Sequence, residues 1–156
     1  RPLRSSSPLY LGGLTRLSDE AAEALAKHEG SFDLGGLTTL TSVALAEKLA
    51  KTQSPLSLKV LTTLSDDAAE ALAKHEGGLH LNGLTTLSDK AAEALARHRD
   101  SLYLGGLTTL SDEASRALAR HKGELDLSGL TTLSDDAAET LRANPGIWLP
   151  AMFEAE

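Results

Sequence analysis

Asp33, Ser57 and His80 follow one another at steps of 24 and 23 residues, and they are the residue types of a nucleophilic hydrolase. In such a triad the imidazole takes the hydroxyl proton and the carboxylate orients the far ring nitrogen. On three successive strands His80 would stand beside Ser57, but Asp33 would approach the serine and not the imidazole. No nucleophile elbow and no oxyanion-hole loop accompany them. The expected class is therefore not an enzyme, with no catalytic residues. A second chemistry-bearing series is His28, His75, His98 and His121, interrupted by Thr52. Imidazoles bind metals when two or three converge. Here each follows a basic residue at a helix end, where a cation complements the helix dipole. They read as C-terminal caps, and no metal or cofactor is expected. No zinc-ligand spacing, paired-carboxylate site or phosphate-cradling loop occurs.

These residues hold their places because the chain repeats. Similar units begin at Leu9, Phe32, Leu56, Leu79, Leu102 and Leu125, at steps of 23, 24, 23, 23 and 23 residues. A fixed period of this length marks an array of stacked supersecondary units. Each unit opens with apolar–variable–apolar alternation, Leu79-His80-Leu81 for example, which predicts a strand with one buried face. A glycine step follows (Gly12-Gly13, Gly35-Gly36, Asn82-Gly83, Gly105-Gly106, Ser128-Gly129), read as a sharp turn that uses positive φ. Lys59-Val60 replaces it once. The Thr-Thr pairs, such as Thr85-Thr86, predict a hydrogen-bonded ladder of turns.

The second half of each unit predicts a helix. Ser18, Ser42, Ser65, Ser88, Ser111 and Ser134 are N-cap residues. Acids follow the cap in most copies, and Lys27-His28, Lys74-His75, Arg97-His98 and Arg120-His121 close four of them. Leu25, Leu49, Leu72, Leu95, Leu118 and Leu141 share one position. Four residues earlier stand Ala21, Leu45, Ala68, Ala91, Ala114 and Ala137, so both rows lie on one helix face. Strands pair about 4.8 Å apart, whereas helices pack about 8–10 Å apart. The array should therefore curve with its strands inside.

This pattern resembles the leucine-rich repeat. It is most similar to the cysteine-containing subtype, roughly L-x-L-x-G-C-x-x-L-T-D-x-x-L-x-x-L-A, over residues 9 to about 149. Leu79-His80-Leu81-Asn82-Gly83-Leu84 carries the match, with Leu84 where the subtype has cysteine. Leu14, Leu37, Leu61, Leu107 and Leu130 do the same in the other copies. The repeat is shorter than the subtype's by about three residues, and the asparagine ladder of the commonest repeats is missing. The resemblance implies a curved α/β solenoid with parallel strands on the concave face and short helices on the convex face. It also implies binding of proteins on the concave face.

The predicted organisation is a lead-in over 1–8 that is not a full cap, six repeats over 9–146, and a cap strand and tail over 147–156. Ile147-Trp148-Leu149 reads as a last strand, with Met152 and Phe153 folding over the end of the core. The amino-terminal edge is expected to be open to self-association. The second repeat is irregular, with one extra residue and Val43-Ala44-Leu45 in place of acids and alanine.

The residue between the two strand leucines faces outward. That series is Tyr10, Asp33, Ser57, His80, Tyr103, Asp126 and Trp148, the least repetitive positions in the chain. A binding surface varies while its scaffold does not, and Tyr and Trp are strong interface anchors. The expected function is a non-catalytic module that binds a protein or peptide on this concave row. The alternative is a structural spacer or an end-to-end assembly unit of a larger repeat protein. A formal charge of −7 without an evident basic stripe argues against nucleic acid and anionic membranes as partners. No apolar run approaches the length of a membrane helix. Cysteine is absent, so the redox compartment and the location stay open.

Overall fold

The computed structural model describes residues 9–29, 32–52 and 56–154. The lead-in over 1–8, and with it the expectation of an open amino-terminal edge, lies outside the described residues. The elements alternate between very short strands and short helices. In order they are β1 (Leu9–Tyr10), α1 (Asp19–Ala26), β2 (Phe32–Asp33), β3 (Thr39–Leu40), α2 (Val43–Ala50), β4 (Leu56–Ser57), β5 (Thr63–Leu64), α3 (Asp66–Leu72), β6 (Leu79–His80), α4 (Asp89–Ala96), β7 (Leu102–Tyr103), α5 (Asp112–Leu118), β8 (Leu125–Asp126), α6 (Asp135–Arg142) and β9 (Ile147–Trp148). A 3-10 turn, Ala151–Phe153, follows. Each helix packs against the next, so the units stack in sequence order. No helix among the described residues is long and apolar enough to cross a membrane.

All strand pairing among the described residues is parallel, and paired strands of neighbouring units meet at equivalent residues. Leu79 aligns with Leu102 and His80 with Tyr103, for example. One strip holds β4-β6-β7-β8-β9, a second holds β1-β2, and β3-β5 forms a third. A strand of two residues has no stability of its own. It persists because its backbone groups pair with the unit ahead. Leu81 N–H donates to Tyr103 O at 2.9 Å, and Leu104 N–H donates to Asp126 O at 3.0 Å.

The helices start where their serines predict. Each of the six serines sits in extended conformation and accepts the N–H of the residue three ahead. Their buried faces are wider than the two-row stripe read from sequence. Leu49, Leu72, Leu95, Leu118 and Leu141 are buried, as are Leu45, Ala68, Ala91, Ala114 and Ala137. A third row, Ala22, Ala46, Ala69, Ala92 and Ala138, is buried as well. Ser115 takes the same place in α5, wholly buried, with its hydroxyl unpartnered. Only small side chains let neighbouring helices approach along that row.

The glycine step works differently from the expectation of positive φ. Among the described residues only Gly77 has a positive φ, 128°, after the end of α3. The second residue of the step is glycine because a neighbouring backbone occupies the space of a side chain. A Cβ on Gly106 would lie 1.9 Å from the carbonyl oxygen of Asn82, one unit back. In the third unit Val60 holds this place, 46% exposed. There the two backbones cannot approach in the same way. At this junction the strand pairing between neighbouring units moves to β3 and β5. The extra residue of the second unit falls at the same junction.

The carboxyl end corrects one expectation. β9 pairs with β8 as a final strand, and Leu149 is buried. Phe153 packs against the core, and its carbonyl accepts from Arg142 Nη1 at 2.9 Å. Met152, expected to join it, is 70% exposed. Successive residues of a 3-10 turn point about 120° apart, so Met152 and Phe153 cannot both cover the core.

The backbone contact predicts a sharp contrast between two glycines. Gly106→Ala should lower unfolding stability by about 1–3 kcal/mol. Gly13→Ala, where a Cβ would meet nothing within 4 Å among the described residues, should stay within about 0.5 kcal/mol of wild type. Urea denaturation of both variants measures the difference, and equal effects would refute the close-approach explanation.

Candidate functional site

The outward strand residues are placed by the alternation that buries their neighbours. Leu79, Leu81, Leu102 and Leu104 are fully buried, and His80 and Tyr103 between them face outward. Tyr10 is 82% and Trp148 61% exposed. Asp33 and Ser57 are exposed, and His80, Tyr103 and Asp126 are half-buried. The ladder brings five of the predicted residues into one run, Ser57, His80, Tyr103, Asp126 and Trp148. At about 4.8 Å per strand the run spans roughly 19 Å. Tyr10 and Asp33 pair in a separate strip. The row of seven is therefore divided at the irregular second unit.

Within the run the side chains do different things. The rings of His80 and Tyr103 stack, with centroids 4.4 Å apart and planes 8° apart. Burial holds the His80 imidazole below its ordinary pKa, and the nearby Lys59 ammonium lowers it further. The ring is thus neutral near pH 7 and presents a flat face beside the tyrosine. The two aspartates are turned to local work. Asp33 Oδ1 accepts the Gly35 N–H at 2.8 Å, and Asp126 Oδ1 accepts the Ser128 N–H at 2.9 Å. This is the Asx-turn use of aspartate, which spacing along the chain does not distinguish from a surface role.

Asp33, Ser57 and His80 are not joined by hydrogen bonds. Asp33 is engaged in its turn and His80 in its stack, although Ser57 and His80 are register partners.

The histidine row has a structural position that helix capping describes only in part. His75, His98 and His121 are almost wholly buried. They do not simply cap their own helices. His75 Nδ1 lies 3.1 Å from Ala50 O and His98 Nδ1 lies 3.3 Å from Ala73 O, each a carbonyl of the preceding unit. His121 uses Nε2 on Asp100 O at 3.0 Å. A carbonyl accepts only, so each of these nitrogens carries the proton. Asn144 holds the same place in the last unit and donates Nδ2 to both Ala119 O and His121 O at 2.9 Å. The rings stack along the array with centroids 6.5 and 6.2 Å apart. The remaining nitrogens of His75, His98 and His121 are buried without a partner. No group of three or more His, Cys, Asp or Glu side chains that could hold a metal occurs among the described residues.

Two further ladders join the units. Thr38 donates both its N–H and its hydroxyl to Thr15 O, Thr62 does so to Thr38 O, and Thr131 to Thr108 O. This is the turn ladder the Thr pairs predict. The other goes beyond what the sequence predicts: the cap hydroxyls of Ser88, Ser111 and Ser134 donate to Asp66, Asp89 and Asp112 of the preceding units. The sequence signal is present, a serine followed by aspartate at each of these helix starts, but it reads as dipole complementarity alone.

No protein-family model matches the chain, and a comparison with curated proteins finds no match. Repeated strand–helix units with parallel strands are what geometry alone establishes.

A pH dependence follows from the buried rings. Burial lowers the His121 pKa from its ordinary 6.5, with a smaller contribution from neighbouring His98; the carbonyls around it oppose the shift without reversing it. For a base whose folded pKa is depressed, the unfolded chain takes up the proton first. Its stabilising contribution is whole above about pH 6.5 and is lost as pH falls from there through the folded value. His121→Asn, which copies the residue that Asn144 places in the last unit, should exchange the Asp100 carbonyl for those of Ala96 and His98, the equivalents of Ala119 and His121 beside Asn144, and should flatten that slope below about pH 6.5. Urea midpoints across the range test this, and an unchanged slope would remove His121 as a cause.

Proposed function

We propose that this chain is a non-catalytic interaction module of the leucine-rich-repeat kind, binding a protein or peptide on a concave strand face. The single observation that carries this reading is the stacked His80–Tyr103 pair. It sits half-buried at the middle of the outward run, with Trp148 exposed at its end. A neutral imidazole stacked on a phenol gives a flat, amphipathic surface whose entropy cost of ordering is already met. Such preorganised aromatic surfaces make effective anchors for a partner. Scaffold positions are nearly invariant from unit to unit, whereas the outward position changes in type from Ser57 to His80 to Tyr103 to Asp126. The parallel strands, buried leucine rows and stacked helices support the leucine-rich-repeat reading. The buried histidines and Asn144 take up carbonyls between units, a role filled by asparagines in the commonest repeats of that family.

A random peptide library selected against the folded chain would test the site. Selected peptides should lose affinity by about tenfold or more, about 1.4 kcal/mol, on Tyr103→Ala and on His80→Ala. Glu113→Ala on the helix layer should leave affinity unchanged. All three variants should stay folded and unfold cooperatively, the two ring variants with a midpoint lowered only by the loss of their stack, about 0.5–1.5 kcal/mol. Peptides that bind the Tyr103 and His80 variants as tightly as wild type would contradict a site on this face.

A further inference from the structure

We propose that Arg97, Arg99, Arg120 and Lys122 form a binding site for a phosphate monoester dianion at the carboxyl ends of α4 and α5. The four side chains line one open groove of about 490 Å³, together with Glu93, the buried His98 and small alanine walls. All four are exposed, and among the described residues none of them is in a side-chain hydrogen bond or an ion pair. Four cations against one carboxylate leave three positive charges in one place, in a chain whose formal charge is −7.

Helix dipoles account for only part of this cluster. A helix carboxyl end carries roughly −0.5 of a charge, so α4 and α5 together present about −1. Arg97 and Arg120, the residues directly after these helices or one beyond, are enough to offset it. Arg99 and Lys122 are surplus. Their position varies from unit to unit: in chain order it holds Glu29, Gln53, Glu76, Arg99, Lys122 and Pro145. Only the two adjacent units that flank the groove reverse the sign. At this variable position the two cationic copies stand in neighbouring units.

The chemistry of the groove favours phosphate over carboxylate. A phosphate monoester carries about −1.5 to −2 charges at pH 7 and three acceptor oxygens. Guanidinium forks bind such oxygens two at a time. A single carboxylate has one charge and two oxygens, and would leave most of these cations unanswered. A polymer backbone is a poorer fit, because it needs a track of positive charge. Arg97 and Arg99 also border the adjoining groove toward α3, where Glu70, Glu76 and Asp100 stand with Lys74 and end the positive field. This site lies on the edge where the helices end, apart from the strand face, and is independent of any ligand there.

Calorimetric titration of the whole chain with inorganic phosphate, O-phosphoserine, a phosphoserine peptide and glutamate tests the proposal. Phosphate and O-phosphoserine should bind, with glutamate weaker by about tenfold or more. The double variant Arg99→Glu, Lys122→Glu restores the residue type of Glu29 and Glu76, so it should fold with an unchanged thermal midpoint. It should lose phosphate affinity by about tenfold or more. A phosphopeptide that binds about tenfold tighter than O-phosphoserine identifies a phosphorylated protein as the source. Equal binding identifies a small free phosphate ester, and both results support the site. Absence of phosphate binding, glutamate binding as tightly as phosphate, or full binding by the folded double variant would overturn it.

Discussion

Neighbouring backbones come so close after each strand that a Cβ on Gly106 would collide with the Asn82 carbonyl. That approach is the constraint from which the rest follows. It brings two-residue strands within hydrogen-bonding distance of equivalent residues in the next unit, and it compels a constant number of residues between contacts. Once the spacing is constant, every side chain has its own copy as a neighbour. Leucine then packs on leucine, ring on ring and hydroxyl on carbonyl, and one solution serves the whole array. Where Val60 replaces the glycine and the second unit carries an extra residue, the strand pairing shifts to β3 and β5.

The polar residues obey the same logic. Short helices leave several backbone groups without intrahelical partners at each end, and here side chains of the same unit and the next take up several of them. Ser88 satisfies its own helix and also donates to Asp66 of the unit before. His98, itself almost wholly buried, reaches back to the Ala73 carbonyl. The cost is a line of buried imidazoles, each with one nitrogen unpartnered. The same edge displays the row of cations after the helices, so the two long edges of the array differ in charge. A net charge of −7 conceals that difference.

Much of the fold was legible because its period is regular enough to align the chain with itself. The strands at Leu9, Phe32, Leu56, Leu79, Leu102, Leu125 and Ile147, the six serine caps and the threonine ladder all stand where the spacing puts them. What escaped was distance between units rather than order along the chain. Spacing alone could not tell that the glycine step serves close approach instead of positive φ. Nor could it tell that the helix-end histidines reach a preceding unit, or that Met152 and Phe153 point apart on a tight turn. At the strand face the outward row was readable from alternation. The stacking of His80 on Tyr103 and the diversion of Asp33 and Asp126 into turns depend on side-chain geometry, which alternation does not encode. The basic groove was hidden for another reason. Arg99 and Lys122 matter only by comparison with Glu29 and Glu76, and only once α4 and α5 are side by side.

If close backbone approach in constant register holds the array together, removing a whole unit should cost less stability than removing a fraction of one. The most direct measurement is urea unfolding of two deletions, followed by circular dichroism. One removes residues 79–101, a complete unit, so that every ladder rejoins its equivalent; the other removes 80–101 and keeps Leu79. The first should unfold cooperatively with native-like helix content and a lower midpoint, as expected for a stack with one fewer interface. The second makes a step of 24 residues at the cut, as Phe32 to Leu56 already does, so it should lose the strand pairing across that junction and unfold at a clearly lower midpoint than the first. Equal, cooperative unfolding of both would show that the units are held by leucine burial alone, and that register between backbones is not what the structure depends on.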